Sequence, residues 1–207
     1  MNALNPLVDR LRARPGIIYL KRLNIILDQD SEKGFGLVGY VASSSCPPFS
    51  LPPPFQISAN LSLFSSYDLI ALIPTTHASF TLACLTHSQP SNLTAHIISL
   101  PLTFPRLPYH LKHTVVRTAI KNGAVFELNY VGAIGGENDP WIADANVVET
   151  GSNAKRNWWA SARELVRVAK GKGLLVSGGV FAEADHRAPR DIVNLYYFLF
   201  SHQICRQ

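Results

Sequence analysis

Seven histidines, three cysteines and fourteen acidic residues are the side chains through which this 207-residue chain could hold a metal or move a proton. The histidines form neither HxH nor HExxH, and no two cysteines stand at CxxC spacing, so the sequence lacks the usual ligand patterns for zinc. His110 and His113 lie three apart with no carboxylate beside them, which reads as surface placement. Glu127 falls inside a strand and Asp185-His186 follows a glycine pair, so a sparse metal or acid/base site at strand C-terminal ends can be drawn, with little in the sequence to compel it. The glycines of GAIGG (132–136) and GKGLLVSGG (171–179) match neither a GxxxxGK[ST] phosphate loop nor GxGxxG, and no GxSxG elbow occurs. A free-standing hydrolase, kinase or dehydrogenase has no support in these patterns.

The basic residues are more informative. The formal charge is +5, with a pI near 9.2, which favours an acidic partner without requiring one. Residues 1–100 carry six Lys/Arg against five Asp/Glu, and residues 101–207 carry thirteen against nine. Arg106, Lys112, Arg117 and Lys121 follow one another with no acidic residue between them. On a helix His113, Arg117 and Lys121 share a face, while Leu111, Val115, Ala119 and Ile120 turn inward. Such a face also occurs as a merely solvated surface, and both readings stay open. A second group, Lys155, Arg156, Arg163, Arg167, Lys170 and Lys172, is opposed only by Glu164. Arg156, Arg163, Arg167 and Lys170 line one side of a helix, opposite Trp159, Ala162, Leu165, Val166 and Ala169, where they could meet successive RNA phosphates. Trp158 and Trp159 read as core rather than as platforms for bases. Arg187 and Arg190 flank Pro189 at a helix start, as a phosphate clamp or as partners of Asp185 or Asp191.

The elements that must position these residues are strands alternating with helices. LNIIL (23–27) is an aliphatic strand, and SSSCPPFSLPPPF (43–55) holds five prolines that exclude helix interior and central strand. Strands are predicted at 67–73, 95–100, 124–129 and 174–177, and helices at about 79–86, 109–122, 152–170 and 189–203. Gly123 is placed to end the second helix, and 131–150 reads as a long polar loop. The pattern predicts an α/β fold with a parallel sheet covered by helices, either doubly wound or a barrel. Five strands with four following helices are too few for the usual eight-unit barrel. A single domain over 17–207, behind an extension of residues 1–16, is expected.

The N-terminus lacks the apolar run of a signal peptide, and no stretch approaches the roughly 20 apolar residues of a membrane span. Cys46, Cys84 and Cys205 are odd in number and far apart, which fits a reducing compartment. A soluble intracellular protein is the expectation.

In order along the chain, YDLIALIPTTHASFTLAC (67–84), HIISLPLTFPRLPYHLKHTVVRTAIKNGAVFELNY (96–130), ARELVRVAKGKGLLVSGG (162–179) and RAPRDIVNL (187–195) resemble one family. With KRLNIILDQDSEKGFGL (21–37), they look like the thirty-kilodalton protein subunit of eukaryotic and archaeal ribonuclease P, in a fungal-like version. The resemblance implies a TIM-barrel-like fold related to the polymerase and histidinol phosphatase barrels, used as a noncatalytic scaffold without metal or cofactor. The catalyst in such particles is the RNA, which removes the 5′ leader of precursor tRNA. The implied partners are that RNA, a small RRM-like subunit and other particle proteins, with precursor tRNA met indirectly. The related ribonuclease MRP, pre-rRNA processing and a nuclear and nucleolar location follow from the same likeness. By position, the RNA-facing residues would be Arg117, Lys121, Arg163, Arg167, Lys170, Lys172, Arg187 and Arg190.

Family members open with an extra strand-helix portion bearing a YDLN-like start, which this chain does not contain; an incomplete barrel and a shortened form are therefore expected. The family's SSGA turn stands here as SGGV (177–180), and the Pro-rich stretch reads as an insertion. Two other classes stay in play: a metal-dependent phosphoesterase of the same barrel, and an adaptor whose basic faces are only solvated.

Overall fold

The computed structural model describes residues 14–28, 67–90, 94–135, 151–180 and 183–204. Residues 1–13 of the expected extension 1–16, the Pro-rich stretch 43–55 and residues 136–150 of the predicted loop lie outside them. The strands are β1 (Arg22–Leu27), β2 (Leu69–Pro74), β3 (Ile97–Ser99), β4 (Val125–Asn129) and β5 (Leu174–Ser177). The helices are α1 (His77–Leu85), α2 (His113–Lys121), α3 (Val131–Ile134), α4 (Gly151–Ala169) and α5 (Pro189–Ile204), with a 3₁₀ turn at Glu183–Asp185.

All four strand pairings are parallel, and the order is β1-β2-β3-β4-β5. A doubly wound sheet reverses its strand order at a switch point, whereas a β/α barrel adds each strand beside the last. The sequential order is that of a barrel segment. Among the described residues β1 and β5 each pair on one side only.

Strand alternation divides the side chains between two faces. Ile25, Leu27, Ile70, Leu72, Ile98, Phe126 and Leu128 point to the helices and join Phe80, Val116, Trp158, Leu165 and Val166 in one core. The opposite face carries Arg22, Asn24, Ser99, Glu127, Asn129 and Ser177 among aliphatic residues. Arg22 Nη1 and Nη2 donate to Glu127 Oε1 and Oε2 at 2.5 and 2.6 Å. Registers place Asn24 level with Ala71, Ile97 and Val125, so Arg22 and Glu127 are three strands and four residues apart. On a flat sheet their Cα atoms would stand roughly 19 Å apart, farther than the two side chains reach together. The sheet therefore curls, and this polar face is its concave side.

Local chemistry sets the boundaries. Thr76 and Ser79 form a capping box at the start of α1. The expected helix from residue 109 begins only at His113, because Pro105 and Pro108 hold the preceding stretch in turns. Gly123 ends that helix at φ +99°. The predicted loop after β4 opens with the short α3, too brief for any period to reveal, ending at Gly135 in the left-handed region.

Candidate nucleic-acid interface

Helix α2 packs between α1 and α4. It buries Val116 and Ala119 and leaves Lys112, His113, Arg117 and Lys121 exposed. Helix α4 buries Ala154, Trp158, Ala162, Leu165, Val166 and Ala169 and leaves Lys155, Arg156, Arg163 and Arg167 exposed. The two basic faces thus stand on adjacent helices. Lys170 follows α4 at φ +54°, an uncommon conformation for a residue with a side chain, and Gly171 and Gly173 continue the turn at +70° and +61°. A Cβ on Gly173 would come within 2.8 Å of Ile120 Cγ1, so the turn lies directly under the end of α2. Lys170 and Lys172 thereby reach the same end of the domain as Lys121.

The individual cations differ. The Arg163 guanidinium lies 5.6 Å from the centre of the Trp159 ring, a cation–π contact that leaves its charge available. Arg167 donates from Nε and Nη2 to Glu164 at 2.9 and 2.5 Å. Arg167 holds the Glu164 carboxyl below its ordinary pKa, and Glu164 raises that of Arg167. Arg167 is therefore a half-neutralised member of the row. Arg187 and Arg190 fall elsewhere. The Arg187 backbone N–H donates to Tyr130 Oη at 3.3 Å, and its Nη1 donates to the carbonyls of Ala184 and His186 at 3.0 and 3.1 Å. Arg187 lies by Lys155, near the start of 19-residue α4, and Arg190 is in the first turn of α5, while Lys170 follows the far end of α4, roughly 22 Å from Lys155 along the helix. The eight expected contacts form two groups, six along α2 and α4 and two by the start of α5. Trp158 is core, its Nε1 donating to the Asn129 carbonyl at 2.8 Å, and Trp159 is half-buried.

On the concave face, Arg22, Asn24, Glu127, Asn129, Ser177, Gly179 and Val180 line a cavity of about 240 Å³. Burial raises the pKa of Glu127, but hydrogen bonds from Arg22, Ser177 and Ser99 and the Arg22 charge outweigh it, holding the carboxyl below its ordinary value. The cation facing Glu127 is a guanidinium, and its oxygens are already committed. Asp185 and His186 do not line this cavity, and among the described residues no group of three His, Cys, Asp or Glu could hold a metal. Sequence reading missed the Arg22 partner. Its signal was the polar alternation at 22 and 24 in RLNIIL and at 127 and 129 in VFELN.

A sequence model of the family described as RNase P subunit p30 matches residues 55–207, most of the chain. The chain belongs to the RNase P subunit p30 family. It is 30% identical over 129 residues to mouse "Ribonuclease P protein subunit p30", covering 62% of this chain and 40% of that one. It is 28% identical over 137 residues to Arabidopsis thaliana "Protein GAMETOPHYTE DEFECTIVE 1", covering 66% and 20%. It is 26% identical over 132 residues to Schizosaccharomyces pombe "Probable ribonuclease P protein subunit 3", covering 64% and 47%. The matched stretches span less than half the length of each of these relatives. All eight basic residues and Glu127 lie in the p30-matched span, while Arg22 precedes it. Among the described residues no helix is long and apolar enough to cross a membrane.

Proposed function

We propose that the protein is a structural subunit of a ribonuclease P particle and grips its catalytic RNA with the outer faces of α2 and α4. The observation that carries this reading is the juxtaposition of exposed Arg117, Lys121, Arg163, Lys170 and Lys172 on two neighbouring helices and the turn beneath them. Phosphates condense counterions, and each one neutralised by Lys or Arg releases them, so a one-sign face of this kind is matched to a polyanion. Membership of a family whose mouse relative bears the name of a ribonuclease P subunit supports the assignment to that particle. In this reading the RNA cleaves the precursor tRNA leader, a small RRM-like protein and other particle proteins are neighbours, and Arg190 touches a separate RNA element, while Arg187 is turned to the carbonyls of Ala184 and His186. Sharing with ribonuclease MRP, pre-rRNA processing and residence in nucleus and nucleolus belong to the same proposal.

The test is recovery of tagged protein from cell extract with sequencing of the attached RNA. Enrichment of the ribonuclease P RNA, lost on combined Arg117→Glu, Arg163→Glu and Lys172→Glu substitution, is the expected result. Recovery of protein partners without that RNA would leave the adaptor reading standing instead.

A further inference from the structure

Between α3, α4 and α5 lies a groove of about 560 Å³ that the RNA-facing surface does not include. Its walls are apolar: Trp159, Ile192, Leu195 and Phe198 supply them, with the Trp159 ring edge-on to Phe198 at 5.5 Å. Lys155 and Arg187 stand at it against a single carboxylate, Asp191. Phe198 is 52% exposed although it lines the groove. Farther round α5, Val193 and Tyr197 are 65% and 71% exposed. A helix that is apolar on most of its circumference is one that something else covers.

We propose that this groove is a docking site for a protein partner, which inserts a large apolar side chain from a segment bearing carboxylates on either side. The volume suits one or two aromatic or leucine side chains, and burying them against Trp159 and Phe198 supplies the attraction. The excess of cations at the groove selects acidic flanks. RNA is disfavoured as occupant because an apolar wall strips water from phosphates without replacing their hydrogen bonds. A second copy of this chain, itself carrying +5, would bring like charge to the same rim. Membership of a family of particle subunits supplies the occasion for such a partner.

Fluorescence anisotropy of a labelled Glu-Glu-Leu-Phe-Glu-Glu peptide on the full chain tests it, against Lys-Lys-Leu-Phe-Lys-Lys and Glu-Glu-Ser-Ser-Glu-Glu. The expected result is at least tenfold tighter binding of the first peptide than of either control. Phe198→Ser, at a half-exposed position, weakens it at least fivefold, and Lys155→Glu with Arg187→Glu at least tenfold. Phe198→Ser leaves RNA affinity unchanged, so this site and the α2–α4 surface fail or stand separately. Equal binding of all three peptides, or no binding at millimolar concentration, overturns the proposal. So does displacement of the peptide by oligouridylate, or dimerisation in sedimentation that Phe198→Ser abolishes. Binding detected only after residues 136–150 are replaced by a Gly-Ser linker would assign the groove to that stretch of the chain itself, with Glu137, Asp139, Trp141 and Asp144, and would equally overturn it.

Discussion

Arg22 and Glu127 lie 105 residues apart in the sequence and clasp bidentately across the concave face of the sheet. The pair fixes β1 against β4 without a shared strand edge. Glu127 is 2% exposed and the Arg22 side chain 26%, so removing one partner strands a charge that water reaches only in part. Glu127→Gln is expected to lower stability by about 2–3 kcal/mol at neutral pH in chemical denaturation. Replacing both residues by Met restores most of the loss. The folded carboxyl stays ionised to lower pH than an unfolded one, whose value is 4.5. The wild-type advantage is thus complete above pH 4.5 and drains away as pH falls through the folded pKa. Wild-type and Glu127→Gln curves that stay parallel down to acid would refute this.

The basic surface makes a prediction in salt. Arg163→Glu with Lys172→Glu should reduce RNA affinity and flatten the plot of log affinity against log salt by about 0.7–0.9 per lost phosphate contact. Arg167→Ala should do less, since its guanidinium is already bonded to Glu164. Lys170→Gly separates binding from folding: relieving the left-handed strain should add about 1 kcal/mol of stability while RNA affinity falls. Filter binding over a potassium chloride series, with parallel urea melts, measures both.

Gly132 is fixed by packing rather than by backbone conformation. A Cβ there would run into the Trp158 indole and stand 2.9 Å from Thr103 Cγ2. Trp158 has little room to yield, because it is buried and bonded to Asn129. Gly132→Ala should cost about 2 kcal/mol and alter tryptophan emission. Gly151→Ala, at φ +67° with nothing within 4 Å, should cost about 1 kcal/mol and leave emission unchanged.

Cys84 is fully buried, and burial pushes its thiol up to about 12. At pH 8 the thiolate is then on the order of one part in ten thousand. In a Cys46→Ser, Cys205→Ser background, a maleimide should label the protein only as it unfolds. Labelling in native buffer at the rate of a free thiol would contradict the burial of α1 against β2.

Segments with a strong local pattern were legible. LLVS is bounded by Gly173 and Gly178 and came out as β5 with its expected limits, while α4 and α5 each shifted by a single residue at one or both ends. Exposure of Arg117 and Arg163 followed from helical period alone. The parallel sheet was equally plain, but its sequential order was not, because apolar strands carry no label for their neighbours. The clasp was invisible for the same reason: Arg22 and Glu127 each show only a polar residue in a strand, and the curl that joins them is a property of the whole sheet. Within α4, by contrast, Glu164 and Arg167 stand three residues apart, and their pairing needed nothing beyond the helix itself.

Strand order equal to chain order lets the sheet grow by accretion. Synthesis proceeds from the N-terminus at about 5–20 residues per second, so among the described strands β1 leaves the ribosome before the others and each later one meets an edge already waiting for it. Among the described strands none has to be threaded between two that have paired. The nascent chain can be consolidated one layer at a time, and among the described layers the one bearing Lys172 and α5 settles after those before it.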